Sequence, residues 1–193
     1  MNETLVFVDS GFLSKISKYL GEGKYLSYDL IKFAQNLAKK QNLICKKIFY
    51  FTAPPFQSNP STIQEDDKKK KYDKFISKLR KNSIIQIEEG RVQKIIEKRK
   101  EVFKQKGVDT LLIMRLSFVP IDFPDIKKII LVSSDTDFCP IINELKTKKV
   151  DVILSSYYER KRHSKFSVSH HLIDCCKNIS YLTKNDFTDV SLK

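Results

Sequence analysis

Four consecutive apolar residues, Ile129-Ile130-Leu131-Val132, give way without a spacer to Ser133-Ser134-Asp135-Thr136-Asp137-Phe138. An unbroken apolar run of this kind reads as a strand buried on both faces, so it needs a layer of structure above and below. The pattern then turns helical, with Pro140 in the first turn, where a missing N–H leaves no bond unmade. A buried strand feeding a helix through a short polar link points to a parallel α/β sheet. In such sheets ligands gather outside the carboxyl ends of the strands, which is where Asp135 and Asp137 fall.

The rest of the chain repeats this grammar. Leu5-Val6-Phe7-Val8 is a short buried strand ending at Asp9, with Ser10-Gly11 as a turn and a short helix or loop from Phe12 to Leu20. Ser27 is the expected N-cap of a helix running to about Gln41, with Asp29 in its first turn. Ile44 to Phe51 is a second strand. Residues 57–71 are polar and end in four lysines, so an exposed lysine-rich loop or insertion is expected there, leading into a helix around Tyr72, Phe75, Ile76 and Leu79. Ile84 to Ile87 is a third strand, and Arg91 to Lys98 fits either a strand or a helix. Asp109 is placed to cap a helix carrying Val108, Leu111, Leu112, Leu116 and Val119 on one face. A strand over Val150–Leu154, a helix over Val168–Cys176 and a terminal strand over Ile179–Leu182 follow. Strands alternate with helices, so the expectation is one domain over residues 1–193: a Rossmann-like three-layer α/β fold with a mainly parallel central sheet.

The charge narrows the partners. Thirty-six Lys and Arg against 23 Asp and Glu give a net charge of +13, which favours polyanions, nucleic acid before an anionic membrane. No apolar run reaches the length of a membrane span, and the first residues lack a basic leader. Four cysteines without C-x-x-C spacing suit a reduced, cytoplasmic protein. His163, His170 and His171 form no zinc-finger spacing with any cysteine, so structural zinc is not expected, and Cys139 reads as a small buried residue.

Asp9, Asp109, Asp135 and Asp137 each stand at a strand end or helix start. Aspartate at such places is commonly a cap or turn former. Together in one cleft the four would repel one another, and a hard cation such as Mg²⁺ or Mn²⁺, which prefers oxygen ligands, would relieve that repulsion.

Three segments resemble the NYN domains of the PIN-like nuclease superfamily, in particular their LabA-like group. They are Val6-Phe7-Val8-Asp9-Ser10-Gly11-Phe12-Leu13, Lys106-Gly107-Val108-Asp109 and Val132-Ser133-Ser134-Asp135-Thr136-Asp137-Phe138-Cys139-Pro140-Ile141. The resemblance implies a metal-dependent ribonuclease with RNA as substrate and Mg²⁺ or Mn²⁺ as cofactor. It implies Asp9, Asp109, Asp135 and Asp137 as the catalytic acids, with Asp9, Asp135 and Asp137 on the metal. Two positions depart from the family's pattern. Phe12 stands where an asparagine is common, and Arg115 where a second aspartate is common. These departures motivate the alternative of a non-catalytic nucleic-acid-binding or regulatory module that keeps the fold.

Tyr157 to Phe166 follows a strand end and mixes cations with aromatic rings, which attract phosphates and stack on unpaired bases. Tyr158, Arg160, Lys161, Arg162 and Lys165 are the candidate RNA contacts. Arg115 either snorkels from its helix edge or adds a phosphate contact. A haloacid-dehalogenase-like phosphatase would need an aspartate at position 11, where Gly11 stands. A receiver domain would need one at the strand end near Phe51-Thr52-Ala53, which has none. Nothing in the sequence specifies an oligomer, and a homodimer is left open.

Overall fold

The computed structural model describes residues 1–97, 100–160, 166–176 and 178–192. Six strands form one sheet: β1 (Asn2–Asp9), β2 (Leu43–Thr52), β3 (Ile85–Glu89), β6 (Lys128–Val132), β7 (Asp151–Ser156) and β8 (Asn178–Tyr181). Their order is β3-β2-β1-β6-β7-β8, and every pairing is parallel. The chain builds outward from β1 to β3, then returns to the other side of β1 with β6. The strand order therefore reverses between β1 and β6, the kind of switch point where α/β sheets open a crevice.

Side chains alternate across the sheet, and each face has its own core. Leu5, Phe7, Phe49, Phe51, Ile129 and Leu131 pack beneath α4 (Val108–Ser117), α5 (Val119–Asp122), α6 (Cys139–Thr147) and α7 (His170–Cys175). Phe7 stacks on Phe49 with ring centroids 4.9 Å apart. Val6, Val8, Ile48, Tyr50, Ile130 and Val132 face α1 (Ser10–Leu20), α2 (Leu30–Lys40), α3 (Ile63–Arg80) and α8 (Lys184–Thr188). The three-layer α/β arrangement expected from the sequence is the one observed. Among the described residues no helix is long and apolar enough to cross a membrane.

Several local expectations are corrected. The cap of α2 is Asp29, whose Oδ1 accepts from the N–H groups of Ile31 and Lys32, and not Ser27. The lysine-rich stretch at 57–71 is mostly helix. Thr62 and Glu65 form a capping box that starts α3 at Ile63, so Lys68 to Lys71 lie on a helix and Lys69 pairs with Asp73 at 2.5 Å. Asp109 does not cap α4. That place is taken by Gly107 in a left-handed conformation (φ +80°), and Asp109 sits in the first turn. The segment from Arg91 is extended. It forms β4 (Arg91–Glu97), paired antiparallel with β5 (Lys100–Lys106) in a separate two-stranded ribbon that the sequence did not announce. The chain also continues past β8 into α8, where the buried carboxylate of Asp186 accepts from Thr183 N–H at 2.8 Å and pairs with Lys40 at 2.5 Å.

Candidate active site

The last residues of β1 and β6 carry the site. Val8 pairs with Val132 in register, so Asp9 and Ser133 leave the sheet side by side. Asp9 caps α1. Its Oδ1 accepts from Gly11 N–H at 2.9 Å and Phe12 N–H at 3.2 Å, and its Oδ2 accepts from the Ser133 hydroxyl at 3.2 Å. The same hydroxyl accepts from the Asp135 N–H at 3.3 Å. Ser133 thus ties the two strand ends together and is itself fully buried. Asp135 caps the 3-10 turn Thr136–Phe138 through a 2.9 Å bond from Asp137 N–H to its Oδ1.

These groups open onto a cleft of about 800 Å³ lined by Asp9, Asp109 and Asp135 together with Lys15, Ser134 and Thr136. Burial, the largest influence, pushes the Asp9 carboxyl above its ordinary range against the donors that hold its charge. Asp109 is also raised, first by burial and then by the charges of Asp9, Asp135 and Asp137, with Lys15 opposing. Hard oxygen donors gathered so that their charges raise the proton affinity of Asp109 fit a hard divalent cation, which takes the place of the proton.

Asp137 stands slightly apart. It lines a neighbouring depression of about 460 Å³ with Thr136, Cys139 and His171, yet its charge still reaches Asp109. Arg115 is not at the cleft. Its guanidinium pairs with Glu88 at 2.8 Å and Asp122 at 3.5 Å and lies 5.5 Å from the Phe49 ring centre. Its guanidinium is thus engaged by carboxylates of its own chain. Its departure from the family pattern also removes no carboxylate from the cleft lining. Phe12, the other departure, does line the cleft. Tyr158 packs against Tyr181 with centroids 5.4 Å apart, outside the cleft lining, and Arg160 is exposed. Lys161, Arg162 and Lys165 lie outside the described residues. Phe166, at the end of that same stretch, reaches the cleft wall.

Sequence reasoning missed Lys15 and the ribbon residues Phe103, Lys104 and Gln105, which also line the cleft. Gln105 reaches so close to Gly11 that a β-carbon on that glycine would stand 3.0 Å from its Oε1. Lys15 follows Gly11 by four residues, one helical turn, and that spacing was the available signal.

A Rossmann-like sheet with carboxylates at the ends of its two central strands defines the architecture of the PIN-like nucleases. Within that class the family model of the NYN domain matches residues 3–183, and the chain belongs to this family. Among solved structures, a protein of unknown function from Vibrio parahaemolyticus has a similar fold, with a TM-score of 0.61 at 16% identity, covering 96% of this chain and 95% of that one. No curated protein matches the chain.

Proposed function

We propose that the protein is a metal-dependent ribonuclease that hydrolyses RNA phosphodiester bonds in the acidic cleft. The observation that carries this reading is the meeting of Asp9, Asp109 and Asp135 in one cleft, with Asp137 at its edge, in an NYN-family chain of net charge +13. Asp9 and Asp135, held in fixed orientations by Ser133 and by their cap bonds, are the residues to hold Mg²⁺ or Mn²⁺, with Asp137 as a further ligand. Such an ion neutralises charge on the phosphodiester and makes water more acidic. Asp109, whose proton affinity is raised, is suited to accept at its carboxylate the proton of the attacking water. Lys15 lies beside the carboxylates and draws phosphates inward, with Lys104, whose ammonium pairs with Glu97, also in the cleft lining, while Phe103 and Phe166 offer flat apolar surfaces to unpaired bases.

The test is cleavage of an end-labelled mixed-sequence RNA with Mg²⁺, with Mn²⁺ and with EDTA, beside Asp135→Asn. Cutting that needs the ion and disappears in the variant supports the proposal. A second reading, an RNA-binding module without catalysis, is favoured by one observation: Phe12 puts a ring into the cleft lining, at the position where the resemblance implies that asparagine is common. RNA binding without cleavage under every ion condition decides for that reading.

A further inference from the structure

One cluster of side chains plays no part in the ribonuclease reading. Cys139, His171 and Cys175 each offer one ligand atom, and these atoms all lie within 4.8 Å of one another. The placement follows from the fold. Cys139 is the first residue of α6, directly after the turn that carries Asp135 and Asp137. His171 and Cys175 stand four apart on α7 and so share one face. That helix is fixed by its Ser169 cap, whose Oγ accepts from Leu172 N–H at 3.2 Å, and by the fully buried Leu172 side chain. The two cysteines are buried, whereas His171 is exposed at the rim of the depression it shares with Asp137.

We propose that Cys139, His171 and Cys175 form a zinc site, two thiolates and one imidazole, with a fourth position open to the depression lined by Asp137. The donor chemistry separates it from the acidic cleft. Sulfur and imidazole suit Zn²⁺ and are poor ligands for Mg²⁺ or Mn²⁺. Ligand atoms of a tetrahedral zinc, at about 2.0–2.3 Å from the metal, lie roughly 3.3–3.8 Å from each other, which small side-chain rotations from the observed separations reach. Two thiol protons are released on binding, one from each cysteine. The bound ion would pin α7 to the segment that bears Asp135 and Asp137. The site does not depend on the ribonuclease reading, because its ligands and its metal are different.

The experiment uses the full-length protein, purified under reducing conditions and loaded with zinc, then freed of excess and analysed for metal by mass spectrometry. Cobalt substitution is run in parallel, since thiolate-to-cobalt charge transfer reports sulfur ligation and intense visible bands report tetrahedral geometry. Expected are about one tightly held zinc per chain and a thiolate-cobalt spectrum in the wild type, in Cys176→Ser and in Asp135→Asn. Cys139→Ser and Cys175→Ser lose both signals. His171→Ala, a change at an exposed residue, retains the fold and loses the tetrahedral spectrum. A wild type that binds no zinc while its thiols remain reactive overturns the proposal. So does a Cys139–Cys175 disulfide in protein whose thiols were blocked at lysis, or zinc that is lost in Asp135→Asn but kept in Cys139→Ser.

Discussion

Ser133→Ala tests whether the site is organised as described. The hydroxyl donates to Asp9 Oδ2 at 3.2 Å and accepts from Asp135 N–H at 3.3 Å, and the residue is fully buried. Alanine removes both bonds and adds no bulk. Both bonds are long for their type, so each falls in the lower part of its range. About 1.5 kcal/mol for the bond to a carboxylate and about 0.5–1 kcal/mol for the neutral one give a loss of about 2 kcal/mol. For a chain of this size that lowers the melting temperature by about 4–8 °C. The chemistry shifts as well. The Ser133 bond favours the charged form of Asp9, so its removal raises an already raised carboxyl further. At any given acidic pH less Asp9 is ionised, and the pH at which Mn²⁺ half-saturates the site moves upward. The assays are thermal melts in EDTA and Mn²⁺ titrations across pH 4–8. Ser134→Ala, which lacks a hydrogen-bond partner among the described residues, is the control and changes the melt by under about 2 °C. A Ser133→Ala protein that melts like the wild type and binds Mn²⁺ with the same pH dependence would falsify the idea that this serine positions the acids.

Three further outcomes are expected. In EDTA the folded chain holds protons on Asp9 and Asp109 that the unfolded chain has already lost, so these groups cost stability as pH rises from about 3.9 through their raised values. The melting temperature of the wild type minus that of Asp109→Asn therefore falls with rising pH in EDTA and recovers when Mn²⁺ is added; a difference that grows in EDTA refutes the assignment. Lys15→Gln removes a charge that lowers both carboxyls, so the acid limb of the proposed metal-dependent cleavage moves to higher pH and RNA affinity weakens, readable in a pH–rate profile and a filter-binding assay. Arg115→Ala leaves Glu88, whose side chain is only 17% exposed, without its cationic partner and with only the Gln86 amide donating to it, and costs about 1–3 kcal/mol in urea unfolding, with RNA affinity unchanged. Weakened RNA binding at unchanged stability would return Arg115 to the binding surface.

The central strands were legible because both are unbroken apolar runs, and their adjacency follows once the sheet is parallel. The acids were legible by position, since strand ends are where such sheets work. The ribbon was not. Glu101-Val102-Phe103-Lys104-Gln105-Lys106 has weak apolar alternation, and the neighbouring Lys98 and Arg99 carry no Gly or Asn turn signal. The early start of α3 was hidden because its first two turns bury no side chain and carry only polar residues apart from exposed Ile63, so only the Thr62–Glu65 spacing marks them. The cysteine–histidine cluster was missed for another reason. Its i,i+4 half is visible in the sequence, but Cys139 lies 32 residues before His171, and the packing of α7 against α6 brings them together.

The bond between Asp9 and Ser133 joins residues 124 apart. At about 5–20 residues per second, a ribosome needs roughly 6–25 s to make the chain between them. Once β2 has been made β1 can pair with it, but β6 is still to come, so the middle of the future sheet remains an open edge. The acidic cleft is therefore a late product of synthesis. A nascent chain that stalls before Ser133 holds Asp9 at the end of a half-paired strand, without the acids that follow β6. Such a fragment is exposed to edge-to-edge aggregation and lacks the assembled cleft.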